Sequence, residues 1–86
     1  METLHLNIQS PERNLFNGPV EAVSLPGVVG RFTLLPHHAP IVSALRQGQL
    51  AYRTGEKTEF VNISSGFVEM NGQTVSVCVT ELTEQP

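Results

Sequence analysis

The strongest constraint on how this chain folds is a pair of alternating runs joined by Asn-Gly. Phe67-Val68-Glu69-Met70 and Thr74-Val75-Ser76-Val77 flank Asn71-Gly72, and Asn-Gly favours the primed two-residue turns whose twist matches two paired strands. The same period of two recurs near the amino end, where Leu4, Leu6 and Ile8 alternate with His5, Asn7 and Gln9. It appears again in Val75, Val77 and Val79 against Ser76, Cys78 and Thr80. Successive side chains of a strand point to opposite faces, so this pattern marks strands with one face buried. Residues 20–25, 50–54, 58–63 and 67–70 are rich in Val, Ile, Phe, Tyr and Thr and read as further strands. No window of eleven residues carries a sustained helical stripe. Residues 39–45 come closest and predict one helical turn at most.

Turn residues divide these runs. Gly55 in RTGEKTEF predicts a second hairpin with a slightly longer loop, Asn17-Gly18-Pro19 a third turn, Arg46-Gln47-Gly48 another break, and Ser64-Ser65-Gly66 a tight bend between strands. Short strands punctuated at roughly eight to twelve residue intervals point to an all-β antiparallel sandwich or barrel. Two packed sheets fit better than one open sheet, because apolar residues occur in both phases, as with Val61 and Ile63 against Phe60. A length of 86 residues allows one core, so residues 1–86 are read as a single domain.

The segment 25–45, LPGVVGRFTLLPHHAPIVSAL, is the least regular. Pro26, Pro36 and Pro40 fix φ and remove backbone donors, which excludes a regular helix or a central strand through the whole of it. Pro26-Gly27 predicts a turn that presents Arg31 and Phe32 just beyond it. The segment reads as a docking loop.

Most chemistry is disfavoured by what the chain lacks. Eight glutamates, no aspartate and five scattered basic residues give a net charge of −3, against nucleic-acid binding through a basic patch. No apolar run approaches the roughly 18 residues that span a bilayer, so direct bilayer insertion is not expected. The start METLHLNIQ lacks the basic-then-apolar pattern of a secretory leader, so a soluble chain is expected. The lone Cys78 has no basic neighbour in sequence to stabilise a thiolate and suits a reducing compartment. His37-His38 invites a metal reading, but adjacent side chains on an extended segment diverge and no cysteine or carboxylate cluster completes a ligand set. Ser64-Ser65-Gly66 lacks a nucleophile elbow, and no aspartate exists to orient a histidine. Glu12 reads as a turn residue, and Glu56, Lys57 and Glu59 as a solvated hairpin edge. Neither a catalytic set, a metal site nor a cofactor is expected. The residues alone leave a binding module, with a small metal-binding or sugar-binding sandwich using the His37-His38 loop as the competing reading.

Three stretches in order carry a more specific signal: SPERNLFNGPVEAVSLPG, then GRFTLLPHHAPIVSALRQGQL, then SSGFVEMNGQTVSV. LPG, a following glycine, LPHHAP and a downstream GFVE in this order resemble the amino-terminal domain of the epsilon subunit of F-type ATP synthase. The resemblance implies a flattened antiparallel β-sandwich of about ten short strands. It further implies a non-catalytic rotor part that binds the gamma subunit on one side and the polar loops of the c ring on another. Such a subunit joins proton or sodium ion flow to ATP synthesis, peripherally at the cytoplasmic face of a bacterial inner membrane or the stromal face of a thylakoid. By this resemblance Ser10, His38, Ala39, Pro40, Ile41 and Val42 face gamma, and Gly27, Val28, Val29, Gly30, Arg31 and Phe32 face the ring. Arg31 and Thr33 differ from the acidic or polar residue and the glycine usual there, and His37 stands where glycine is usual. Many epsilon subunits continue into two helices that inhibit hydrolysis and sometimes bind ATP. With nothing after Pro86, the expectation is a chain without that regulation.

Overall fold

The alternation is realised as eight strands in the computed structural model, which describes residues 2–82: β1 (Leu4–Gln9), β2 (Asn14–Val20), β3 (Ala22–Pro26), β4 (Arg31–Leu34), β5 (Ile41–Leu45), β6 (Gly48–Thr54), β7 (Lys57–Asn71) and β8 (Thr74–Glu81). Hydrogen bonding runs β2-β1-β8-β7-β6-β3-β4, with β5 added on β7. The key element is β7, 15 residues long. Its first part pairs with β6, from Thr54↔Lys57 to Gly48↔Ile63. Its second part lies between β5, from Leu45↔Gly66 to Ile41↔Met70, and β8. The ladder to β8 slips between Ile63 and Ser65, and such a bulge bends a strand. One layer is therefore β4-β3-β6 with the first part of β7, and the other is β5, the second part of β7, β8, β1 and β2.

The inward phases of both layers make one core. Leu4, Leu6, Ile8, Val68, Met70, Val75 and Val77 belong to one cluster with Val23, Leu25, Leu34, Leu50 and Tyr52 from the other layer. The rings of Phe16 and Tyr52 lie 4.4 Å apart between centroids and tie β2 to β6. Extents of 42 × 26 × 20 Å give the flattened shape of a sandwich.

Several details depart from the sequence reading. The described residues form eight strands, fewer than the ten expected, partly because Ser64-Ser65-Gly66 runs on inside β7, with a bulge at Ser64, and does not end it. One pair, β1 with β8, is parallel; no local turn signal reports a pairing between segments so distant in sequence. Asn17-Gly18-Pro19 lies within β2, paired to β1 through Leu6↔Gly18 and His5↔Pro19. Proline is tolerated there because β2 is an edge strand whose outer donors need no partner. Residues 41–45 form strand, because their hydrogen bonds go to β7. Both hairpins form, but the Gly55 loop is not longer than the other: each has two residues, Gly55-Glu56 and Gly72-Gln73, and Gly55 and Gly72 in first place have φ 66 while no other loop residue there is positive, the II′ pattern. Asn71 is thus the last paired residue, opposite Thr74.

Tyr52 gives the fold an alkaline limit. Burial, and secondarily the charge of Glu59 opposite it in the ladder, pushes its phenol above the ordinary value of 10.0. A raised pKa in the folded state means that the unfolded chain ionises first as pH climbs, so stability present below pH ~10 is lost above it. Tyr52→Phe should flatten the decline in urea midpoint between pH 10 and 11. An unchanged decline would exclude Tyr52 as its source.

Candidate functional site

Alternation that buries one face of a layer sets which side chains the other face shows. Across the second layer Ala44, Phe67, Cys78 and Gln9 fall in one row, and Val42, Glu69, Ser76 and Asn7 in the next. A solvent face is ordinarily polar, yet Val42 is 61% and Phe67 46% exposed here. Beside them runs an apolar groove of about 490 Å³ lined by Ser10, Pro11, Phe67, Cys78 and Val79 among others. Ser10 fixes the groove's end. Its Oγ accepts the Arg13 amide at 3.2 Å and the Glu12 amide at 3.3 Å, so the β1–β2 turn is closed by its own side chain. Arg13 then reaches Glu81 at 2.9 Å, and this partner holds its guanidinium above the usual range.

The six residues ascribed to a gamma-facing surface are not brought into one cluster. Ser10 lies beyond the end of β1 and Val42 on β5, three strand spacings or about 14 Å apart across the layer. They bracket the apolar face. His38, Ala39 and Pro40 form the loop entering β5, all exposed. Ile41 packs partly buried against the core.

Within that loop the two histidines go separate ways. His38 Nδ1–H donates to the Ala39 carbonyl at 2.7 Å, whereas His37 Nε2 meets the Glu2 carboxylate. No group of three or more His, Cys, Asp or Glu side chains converges as a metal site among the described residues. His37 adopts φ 72, the left-handed region, and its amide donates to Gln73 Oε1 at 3.0 Å. That backbone costs a residue with a Cβ about 1 kcal/mol, most for a β-branched one. His37→Gly should therefore keep the unfolding free energy within about 0.5 kcal/mol of the parent, while His37→Val lowers it by about 1–2 kcal/mol. Equal urea midpoints for the two variants would show that the imidazole, and not the backbone, matters.

The second proposed face is the β3–β4 loop. The Gly30 amide donates to the Gly27 carbonyl at 3.1 Å, and the tip leaves Val28 52% and Val29 98% exposed. Gly27 is buried, because a Cβ there would meet the Gly30 carbonyl at 2.7 Å and Phe32 at 2.8 Å. Arg31 is exposed, but Phe32 is not presented as expected. It shares the inward phase of Leu34 and packs partly buried against the core. The loop is also tied to the end of β5, with the Val28 amide on the Ala44 carbonyl at 3.1 Å and the Arg46 amide on the Pro26 carbonyl at 2.9 Å. The two faces are thus contiguous.

Residues 3–85 match the family described as ATP synthase, Delta/Epsilon chain, beta-sandwich domain. The chain belongs to this family. The ATP synthase epsilon chain of Caulobacter vibrioides is 33% identical over 84 residues, covering 98% of each chain. That of Leptospira borgpetersenii is 40% identical over 74 residues, covering 86% of this chain and 58% of the other, and that of Lawsonia intracellularis is 40% identical over 84 residues, 98% and 62%. The chain thus spans about three fifths of the length of several relatives it matches. Among solved structures, a chain of the Euglena gracilis mitochondrial ATP synthase (OSCP/F1/c-ring) superposes with a TM-score of 0.86 at 24% identity, over 92% of this chain and 51% of that one. A chain of the Tetrahymena thermophila central stalk and c-ring gives 0.81 at 12%, over 96% and 67%. At these identities the likeness speaks for the fold.

For this Delta/Epsilon sandwich, the residue that sequence reasoning missed is Phe67. It sits in the GFVE stretch, yet its meaning lies in its phase. Val68 and Met70 point inward, so Phe67 is an aromatic on the outward side, between Ala44 and Cys78.

Proposed function

We propose that this chain is an epsilon-type rotor subunit of an F-type ATP synthase, joining the gamma subunit to the c ring and coupling proton or sodium ion flow to ATP synthesis without itself catalysing it. On this reading it works peripherally at the cytoplasmic face of a bacterial membrane. The observation that carries the proposal, beside family membership, is the apolar outward strip of Val42 and Phe67 with its groove, bracketed by Ser10 and by His38, Ala39 and Pro40. Such a surface suits burial against a protein partner. The β3–β4 loop, from Gly27 through Val28, Val29 and Gly30 to Arg31, offers the ring a small surface already held by backbone hydrogen bonds. Little chain entropy is lost when such a loop docks, which suits a lasting joint under load. Ile41 and Phe32 then act from behind, by seating β5 and β4 on the core.

The test is co-elution. Mixed at micromolar concentration with the gamma subunit of its own organism, the chain should run with it on gel filtration as one complex. Separate elution of two folded proteins would overturn the reading.

A further inference from the structure

We propose that the β3–β4 end of the molecule recognises carboxylates on a partner protein through Arg31 and Arg46; this rests on the reading above, in which that loop meets the c ring, and names the chemistry of the surface it meets. The chain is acidic overall, at −3, but its cations are not evenly used. Arg13 is paired with Glu81 and Arg53 with Glu21. Lys57 stands in the β6–β7 hairpin between Glu56 and Glu59. Arg31 and Arg46 alone combine exposure with no carboxylate partner among the described residues and none beside them in sequence.

The fold sets these two arginines on either side of one residue. Arg31 is the ladder partner of Pro26, and the Arg46 amide donates to the Pro26 carbonyl. Two strand spacings put their backbones roughly 10 Å apart, within reach of one patch for side chains of this length. Between them the tip shows Val28 and Val29. Guanidinium groups bind carboxylates through two parallel hydrogen bonds, and the flanking valines exclude water from such pairs. A lipid headgroup is the weaker fit. Attraction to an anionic bilayer takes a cluster of about 4–8 basic residues, whereas this end offers two on a molecule of opposite net charge. The occupant is therefore an acidic protein loop.

The experiment measures binding of the chain to purified c ring of its own organism in detergent, at 50 and 300 mM NaCl, and in parallel to vesicles containing 30% phosphatidylglycerol. Arg31→Gln with Arg46→Gln should weaken ring binding about tenfold and remove most of its salt dependence. Replacing both by lysine should recover part of the affinity, Lys57→Gln should change nothing, and no form should bind the vesicles. If the parent binds the ring and the double glutamine variant, folded by circular dichroism, binds it equally well, the carboxylate inference fails while the ring reading stands. Binding to the vesicles in place of the ring would overturn the inference in favour of lipid. A parent chain that co-elutes with gamma yet binds neither would remove the ring-facing role itself.

Discussion

Gly66→Val is expected to lower the free energy of unfolding by about 3 kcal/mol. Three strands meet at this glycine, through Leu45↔Gly66 and Gly66↔Val79. A Cβ there would lie 2.8 Å from the Cys78 carbonyl oxygen, 3.1 Å from Val79 Cγ1 and 3.3 Å from Leu45 Cδ1. The first of these is backbone in a paired strand, so relief requires the β7–β8 ladder to shift. Valine adds two further carbons to the same space. A domain of this size has only about 4–13 kcal/mol to lose. With a urea dependence near 1–1.5 kcal/mol per molar, the midpoint should fall by about 2–3 M. Ser65→Ala, one residue away and exposed, is the control and should stay within about 0.5 kcal/mol. A Gly66→Val midpoint within 0.5 M of the parent would mean that the crowding is absorbed without cost.

The same residue marks where sequence reasoning reaches its limit. Alternation in 4–9 and 74–80 was enough to assign the buried faces, and Leu4, Leu6, Ile8, Val75, Val77 and Val79 are all in the core. Those preferences are local and repeat along the strand. Ser64-Ser65-Gly66 read as a bend between strands because small polar residues usually end them. What keeps the strand going is a pair of ladders to β5 and β8, supplied by chain far away in sequence. The parallel β1–β8 pair was hidden for the same reason. Resemblance alone proposed Ser10, Val42 and the Val28-Val29 tip for the candidate site, and the structure leaves the three valines exposed. Ile41, Phe32 and Gly27 belong partly to the packing, which no motif distinguishes from contact.

Phe67→Ala is expected to weaken gamma binding by about 2 kcal/mol or more, roughly thirtyfold, with the fold retained. Interfaces concentrate their energy in a few aromatic anchors near the centre of a patch that excludes water. Phe67 has that position, on the central β7 between Ala44 of β5 and Cys78 of β8, beside the groove that ends at Ser10. At 46% exposure it has little core contact to lose. Phe60, 57% exposed on the first layer, provides the comparison: Phe60→Ala removes the same ring from the other outer face and should leave gamma binding as it was. Equal losses for the two variants would place the partner elsewhere or make both effects structural.

The parallel joining of β1 to β8 has a consequence for how the protein is made. On its β8 side His5 finds a ladder partner only when Thr74 exists, so during translation β1 can hold β2 on one edge while its other edge waits for residues 74–81 to emerge. Long-range closure of this kind is slow and leaves an unpaired strand edge open in the meantime. Pro19, opposite His5, lies on β2; the edge left waiting is the opposite one, toward β8. A nascent chain stalled before β8 is therefore the form of this protein most exposed to misassembly on the ribosome.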